Sequence, residues 1–297
     1  MSAKDDMTSE TGGPTSSAGP ARALLVIPAH NEAESIVATV EGLRDTCPDL
    51  DFVVVNDGST DTTALICRQR GFPLIDLATN LGLSAAVGAG MRYAYERGYG
   101  AVVQFDADGQ HRPEYLEGML DALDAGFDIV CGSRFLLDPK PRSLRMAGSR
   151  LISWAVRATT GQRLTDPTSG LRVYGRRVVK AFATQGDMTP EPDTVSHLVR
   201  LGARVQEVPV VMNERAAGTS YLGPLSSVRY MLRMAVSILL VQFFRKGSLG
   251  LLGPPSEPKA AAAPPRPTAG AADKGRTEPT ATPGLASHRE DGQWHRR

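Results

Sequence analysis

The chain has 297 residues, with 33 Lys and Arg against 32 Asp and Glu. That length holds one large domain or two small ones, and so even a balance of charge selects no partner class by itself. Cys47, Cys67 and Cys131 show no paired spacing, which excludes a disulfide scaffold and a cysteine zinc site and fits a reducing compartment.

Residues 1–21 are rich in Ser, Thr, Gly and Pro and lack the apolar core of a secretory signal, so they predict a disordered leader. ALLVIP at 23–28 reads as a buried strand ended by Pro28. Asn31 is placed to cap a helix running from about Glu32 to Thr46. FVVVN at 52–56 is a second strand, ending in Asp57, Gly58, Ser59, Thr60 and Asp61. A helix to about Arg70 and a short strand at 73–77 follow. Strand, helix, strand, helix predicts a parallel sheet with right-handed crossovers. Asn80 to Ser84 then enter a helix of small residues, AAVGAGM. Its glycines suit either a backbone close to a ligand or a tight helix contact.

The chain is organised around VVQFDADGQH, residues 102–111. An apolar run that breaks into acids and a glycine reads as a buried strand leaving its sheet. Ligands of open α/β sheets sit beyond the carboxyl ends of the strands. Asp106 and Asp108 are hard oxygen donors, suited to Mg²⁺ or Mn²⁺. Mg²⁺ is usually held by one or two carboxylates, with substrate phosphates completing its shell. An Asp-x-Asp-Gly turn without a ligand is the plain alternative. An EF-hand fits poorly, because its sharp-turn glycine position is His111 and Pro113 falls inside the loop.

A helix over 113–125 and a strand over 128–131 lead into Gly132, Ser133 and Arg134. From Arg134 to Lys180 eleven Lys and Arg face two acids, a local field that attracts phosphate. A helix is expected over 144–160. The turn Thr165 to Gly170 precedes a short strand and a helix in LRVYGRRVVKAF. Residues 189–200 read as a loop entering a helix, and 204–211 as the last strand. The segment 225–246 is apolar but carries Arg229 and Arg233, and its apolar run is too short to span a bilayer. It fits an amphipathic helix at a membrane interface or on a membrane partner, or else a core-packing terminal helix. Residues 247–297, rich in Ala and Pro, predict a disordered tail.

IPAHNE, VNDGSTD, NLGLSAAVGAGM, QFDADGQH, GSRF, TDPTSGLRVY and EVPVVMNER occur in that order across residues 24–216. Together they resemble the inverting family 2 glycosyltransferases of the GT-A fold, and most the dolichyl- and polyprenyl-phosphate sugar transferase branch. The resemblance implies one α/β GT-A domain, Rossmann-like, over 22–224, with a mostly parallel central sheet flanked by helices. It implies that Pro28, His30 and Glu32 hold the nucleoside, although His30 stands where the family often has Tyr. Asp57 would bond the base or ribose, and Asp106 and Ala107 the ribose and pyrophosphate. Asp108 and Gln110, with Asp106 as a further candidate, would bind Mg²⁺ or Mn²⁺. Arg134 and Arg215 would contact the donor phosphates.

The expected activity moves a sugar from a UDP- or GDP-linked donor to a polyprenyl phosphate for cell-envelope glycan synthesis. Metal and arginines would stabilise charge on the leaving diphosphate. A lipid phosphate is already anionic and needs only positioning, for which Arg142, Arg145 and Arg150 are candidates. A hydroxyl acceptor would need a general base, and Glu191 and Asp193 stand where such branches carry one. A non-catalytic nucleotide-sugar-binding protein is a remoter reading. The resemblance also implies work at the cytoplasmic face of a bacterial-type membrane, an anionic membrane surface as partner, and a separate small integral-membrane protein. Nucleic acid is not expected among the partners.

Overall fold

The computed structural model describes residues 23–186, 188–213, 224–244 and 252; for 144, 145, 224–228 and 241–244 it describes the backbone alone. The leader at 1–21, most of the tail at 247–297 and Arg215 lie outside the described residues. The elements run β1 (Leu24–Ala29), α1 (Ile36–Thr46), β2 (Asp51–Asp57), α2 (Thr63–Gln69), β3 (Leu74–Leu77), α3 (Leu83–Glu96), β4 (Ala101–Gln104), α4 (Leu116–Asp124) and β5 (Ile129–Ser133). They continue with α5 (Leu144–Thr160), β6 (Arg172–Gly175), α6 (Arg176–Thr184), α7 (Pro192–Arg200), β7 (Val205–Pro209) and α8 (Pro224–Phe244).

Seven strands form one sheet in the order β3-β2-β1-β4-β6-β5-β7. All pairings are parallel except those of β6, which runs antiparallel to both β4 and β5. The sheet is therefore mostly parallel, as expected. Its second half departs from a simple repeat because β6 enters from the Thr165–Gly170 turn in the opposite direction. Along β1, Leu24 and Val26 belong to one core cluster and Leu25 and Ile27 to the other. Side chains of a strand alternate faces, so the apolar run must be covered on both. Helices α3, α5, α6, α7 and α8 cover one face, and α1, α2 and α4 the other.

The small residues of α3 serve packing at Gly90, where an added Cβ would lie 2.3 Å from Val26 of β1. The first helix begins at Ile36, later than its sequence predicts. Asn31 does not cap it. It sits at φ 57, and its Oδ1 instead accepts the N–H groups of Thr60 (2.8 Å) and Asp61 (3.3 Å). Asn tolerates this left-handed backbone better than most residues. Pro113–Tyr115 form a 3-10 turn ahead of α4 rather than its first turn.

Among the described residues, no helix is long and apolar enough to cross a membrane. In α8, Met231, Met234, Ala235 and Ile238 are buried in the same cluster as α3 and α6, whereas Leu232, Val236 and Leu240 face water. The segment is thus one helix with a core-packing stripe and an exposed apolar one.

Candidate functional site

After β2 and β3 the chain crosses back through α3 to place β4 on the other side of β1. Such a reversal opens a crevice beyond the strand ends, between β1 and β4. A cavity of about 410 Å³ lies there, lined by Pro28, Ala29, His30, Glu32, Asp57, Asn80, Gly82, Leu83, Asp106, Ala107 and Asp108. Residues scattered over some eighty positions of sequence thus meet because four loops leave the same edge of the sheet.

Local hydrogen bonds fix these loops. The Asp57 carboxylate accepts Leu81 N–H at 2.7 Å and Gly82 N–H at 2.8 Å, tying the end of β2 to the start of α3. Ring nitrogens of His30 meet the Asp57 carbonyl at 2.7 Å and the Asn80 amide at 3.0 Å. His30 is therefore held by both of its neighbouring loops. Thr39 of α1 donates to the carbonyl of Ala107 at 3.0 Å, which anchors the acidic loop from below.

In that loop Asp108 Oδ1 accepts the N–H of Gln110 at 3.1 Å, while Asp106 Oδ2 lies 3.2 Å from His111 Nε2. Asp106 Oδ1 is buried without a hydrogen-bond partner. Burial pushes the Asp106 carboxyl up. The His111 bond and charge, a bond from Gln104 and the Arg172 charge outweigh it and hold the group below the ordinary carboxylate range. The opposite wall is Gly170, where a Cβ would fall 2.2 Å from Asp106 Oδ2, so the Thr165–Gly170 turn can close on the acid only without a side chain. Among the described residues, no three His, Cys, Asp or Glu side chains gather to hold a metal alone. A set of one or two carboxylates fits a hard divalent cation that shares its shell with a diphosphate.

Across the antiparallel strand the arrangement changes. Arg134, at the end of β5, makes a two-pronged ion pair with the buried Asp166, Nε at 2.6 Å and an Nη at 2.9 Å. Glu207 of β7 holds the backbone of Thr165 and Asp166, each at 2.7 Å. Lys140 Nζ donates to Ser149 at 2.8 Å and Ser153 at 3.1 Å, beside the Phe135 ring. Its burial lowers the ammonium's pKa against the opposing charges of Asp166 and Glu207.

The basic stretch is less free than its sequence implies. Arg172 is buried, donating to the carbonyls of Pro167 (2.6 Å) and Pro190 (2.8 Å). Arg177 pairs with Asp128, and Arg150 donates to the carbonyl of Lys140 at 2.7 Å. Asp128 precedes the stretch in sequence, and backbone carbonyls carry no sequence signal, so a charge count cannot find these partners. Arg142 is exposed; the side chain of Arg145 is outside the description.

Glu191 and Asp193 are drawn toward α8. Glu191 accepts from Ser84 Oγ at 3.1 Å and from the Tyr230 hydroxyl, and Asp193 accepts from Ser237 Oγ at 2.6 Å. Burial first, and then the adjacent Glu191 charge, push the Tyr230 phenol well above its ordinary range. Asn80, Gly82 and Leu83 complete the cavity and were not among the expected ligands; NLGLS at the start of α3 was the available signal. Arg172, Tyr230, Lys140 and Ser149 had none, since their partners are distant in sequence.

A family model described as glycosyl transferase family 2 matches residues 24–184. An undecaprenyl-phosphate mannosyltransferase from Micrococcus luteus is 36% identical over 67% of this chain and 86% of its own. A polyprenol monophosphomannose synthase from Mycolicibacterium smegmatis is 32% identical over 67% of this chain and 80% of its own. Among solved structures, glucosyl-3-phosphoglycerate synthase from Mycobacterium tuberculosis with Mn²⁺ and UDP-glucose superposes with a TM-score of 0.55 at 17% identity, covering 74% of this chain and 78% of that one. A mannosyltransferase from Pyrobaculum calidifontis with GDP-mannose and Mn²⁺ gives 0.53 at 19%, covering 77% and 66%. At those identities the structures establish the fold, which is GT-A.

Proposed function

The chain belongs to glycosyl transferase family 2, and we propose that it transfers a hexose from a nucleotide-sugar to a polyprenyl phosphate, with inversion, for cell-envelope glycan synthesis. The observation that carries this reading is the cavity at the β1–β4 reversal, where Asp57, Asp106 and Asp108 converge with His30 and Glu32. Likeness to the two polyprenyl-phosphate mannosyltransferases supports the acceptor class and favours mannose.

In this reading Pro28, His30, Glu32 and Asp57 seat the nucleoside, and Asp106 with Ala107 orient the ribose and pyrophosphate. Asp108 and Gln110, with Asp106 beside them, would hold Mg²⁺ or Mn²⁺, which when bound neutralises charge on the diphosphate. Arg134, oriented by Asp166, presents its remaining donors to phosphate; Arg215, outside the described residues, is assigned to the same phosphates by the family resemblance alone. Lys140, Arg142 and Arg150 supply positive charge toward which the acceptor phosphate is drawn, with Arg145 a further candidate from its sequence position. A phosphate monoester already carries negative charge, so attack on the anomeric carbon requires alignment and no proton removal.

Glu191 and Asp193 fit that chemistry, because each carboxylate is engaged with hydroxyl donors on α8. A hydroxyl acceptor with one of them as base is the competing reading. The protein would act peripherally at the cytoplasmic face, alone or with a small integral-membrane partner. The test offers purified protein, Mn²⁺ and undecaprenyl phosphate to labelled GDP-mannose, UDP-glucose and UDP-N-acetylglucosamine. Label entering the organic phase from one donor is expected. Label that stays aqueous with every donor, even when host membranes are added, overturns the lipid-phosphate acceptor.

A further inference from the structure

A polyprenyl-phosphate acceptor sits in a bilayer, so one face of the protein must meet lipid, and the choice of that face rests on that reading of the acceptor. Helices α5 and α8 pack on each other, so closely that a Cβ on Gly148 would lie 2.7 Å from Met231, and both pack on α7. Their buried stripes, Ile152, Ala155 and Val156 on α5 and Met231, Met234, Ala235 and Ile238 on α8, account for their place in the core. The remaining apolar side chains are not accounted for in that way. Trp154 is 57% exposed beside the exposed Leu151, and Leu232 is 58% exposed in line with Val236 and Leu240. Leu232, Val236 and Leu240 recur every four residues, so they form one stripe along the solvent side of α8.

The charges on these helices have a single sign. Arg150, Arg157, Arg229 and Arg233 are exposed, and neither helix contains an Asp or Glu. Apolar side chains in water beside exclusively positive ones complement an anionic bilayer surface, where chains enter the acyl boundary and guanidiniums meet headgroups. Tryptophan is the side chain favoured at that depth. We propose that the paired outer faces of α5 and α8 form one docking surface for anionic phospholipid, with Trp154 as its interfacial anchor. This adds α5 to the contact expected of α8 alone. It also sets the bilayer beside the element whose Ser149 receives Lys140, so that the phosphate of a membrane-embedded lipid reaches the basic side of the site.

The chain has two tryptophans, and Trp294→Phe leaves Trp154 as the sole emitter. The full chain with that change is mixed with vesicles of phosphatidylglycerol and phosphatidylcholine. Cosedimentation, a shift of Trp154 emission to shorter wavelength and quenching by brominated acyl chains are expected, all weaker on pure phosphatidylcholine. Trp154→Ala combined with Leu232→Ser should weaken vesicle binding about tenfold or more, as expected for two apolar side chains kept out of the bilayer. The same variant should retain transfer in detergent micelles, which also shows that it folds. Vesicle binding with Trp154 emission unmoved overturns the proposal, as does binding only when a host membrane protein is present. Vesicle binding and a shifted Trp154 without transfer to any polyprenyl phosphate would leave the surface standing and remove the acceptor reading.

Discussion

The two halves of the site are built differently. On the side of β1, β2 and β4, polar side chains bond to nearby loop backbone: Asp57 to Leu81 and Gly82, Asp108 to Gln110, Thr39 to Ala107. On the side of β5, β6 and β7, the links run through charged side chains: Arg134 to Asp166, Arg172 to the carbonyls of Pro167 and Pro190, and Glu191 to the Tyr230 hydroxyl. The first half is a set of loops held by polar side chains bonded to the backbone of their neighbours. The second is a cross-braced assembly in which one removed partner strands another. Loss of a residue in the first half should therefore cost chemistry, and in the second, folding.

The largest expected effect breaks the first half without touching the second. Asp108→Ala should lower metal-dependent transfer by 10²-fold or more, the scale for losing one preorganised electrostatic contact, with the urea midpoint little changed. Transfer that survives the substitution and persists in EDTA would remove Asp108 and the cation from the reaction. Asp166→Ala should do the reverse. It strands the Arg134 guanidinium and should cost on the order of 3–5 kcal/mol of stability, read as a lowered urea midpoint at unchanged slope.

Two smaller effects sharpen the contrast. Tyr230→Phe removes a hydroxyl from the Glu191 carboxylate and should cost about 1–3 kcal/mol, again in unfolding, while KM for the donor moves little. Asp193→Asn keeps an oxygen for Ser237 or Thr194 and should change transfer to lipid phosphate by only a few-fold; a loss of 10²-fold or more would point to a general base instead.

Acidity offers a last comparison. The folded Asp106 carboxyl titrates below its unfolded value, so the stability it contributes is fully present above the ordinary aspartate range and is lost as pH falls through the folded pKa. Asp106→Asn should lack that component, so the native protein's advantage over the variant should be full at pH 7 and should shrink only as pH falls below about 4. An equal difference at pH 7 and pH 3 would mean that the carboxylate's charge contributes nothing.

The first half was also the more legible. Apolar runs ending in Pro28, Asp57 and Asp106 marked strands and the edge where a ligand sits, because buried parallel strands must be apolar along their length and must end in polar loops. The alternation of Leu24 and Val26 against Leu25 and Ile27 needed no more than strand geometry. Local rules failed where another partner outbid them. Asn31 looked like a helix cap, yet its side chain serves the loop after β2. The glycines of α3 were ambiguous until Gly90 was found against Val26.

Motifs in a fixed order, and apolar runs that end in polar loops, were enough to specify the family, the sheet's leading strands, the acidic loop and most residues of the cavity beyond β1 and β4. It took the packed chain to make β6 antiparallel, to bury Arg172 rather than leave it on a basic surface, to turn Glu191 and Asp193 toward α8, and to pack α5 against α8. Those outcomes depend on carbonyls, close approaches and neighbouring helices separated by tens of residues. The positions of such partners follow only once the chain has folded around a common core.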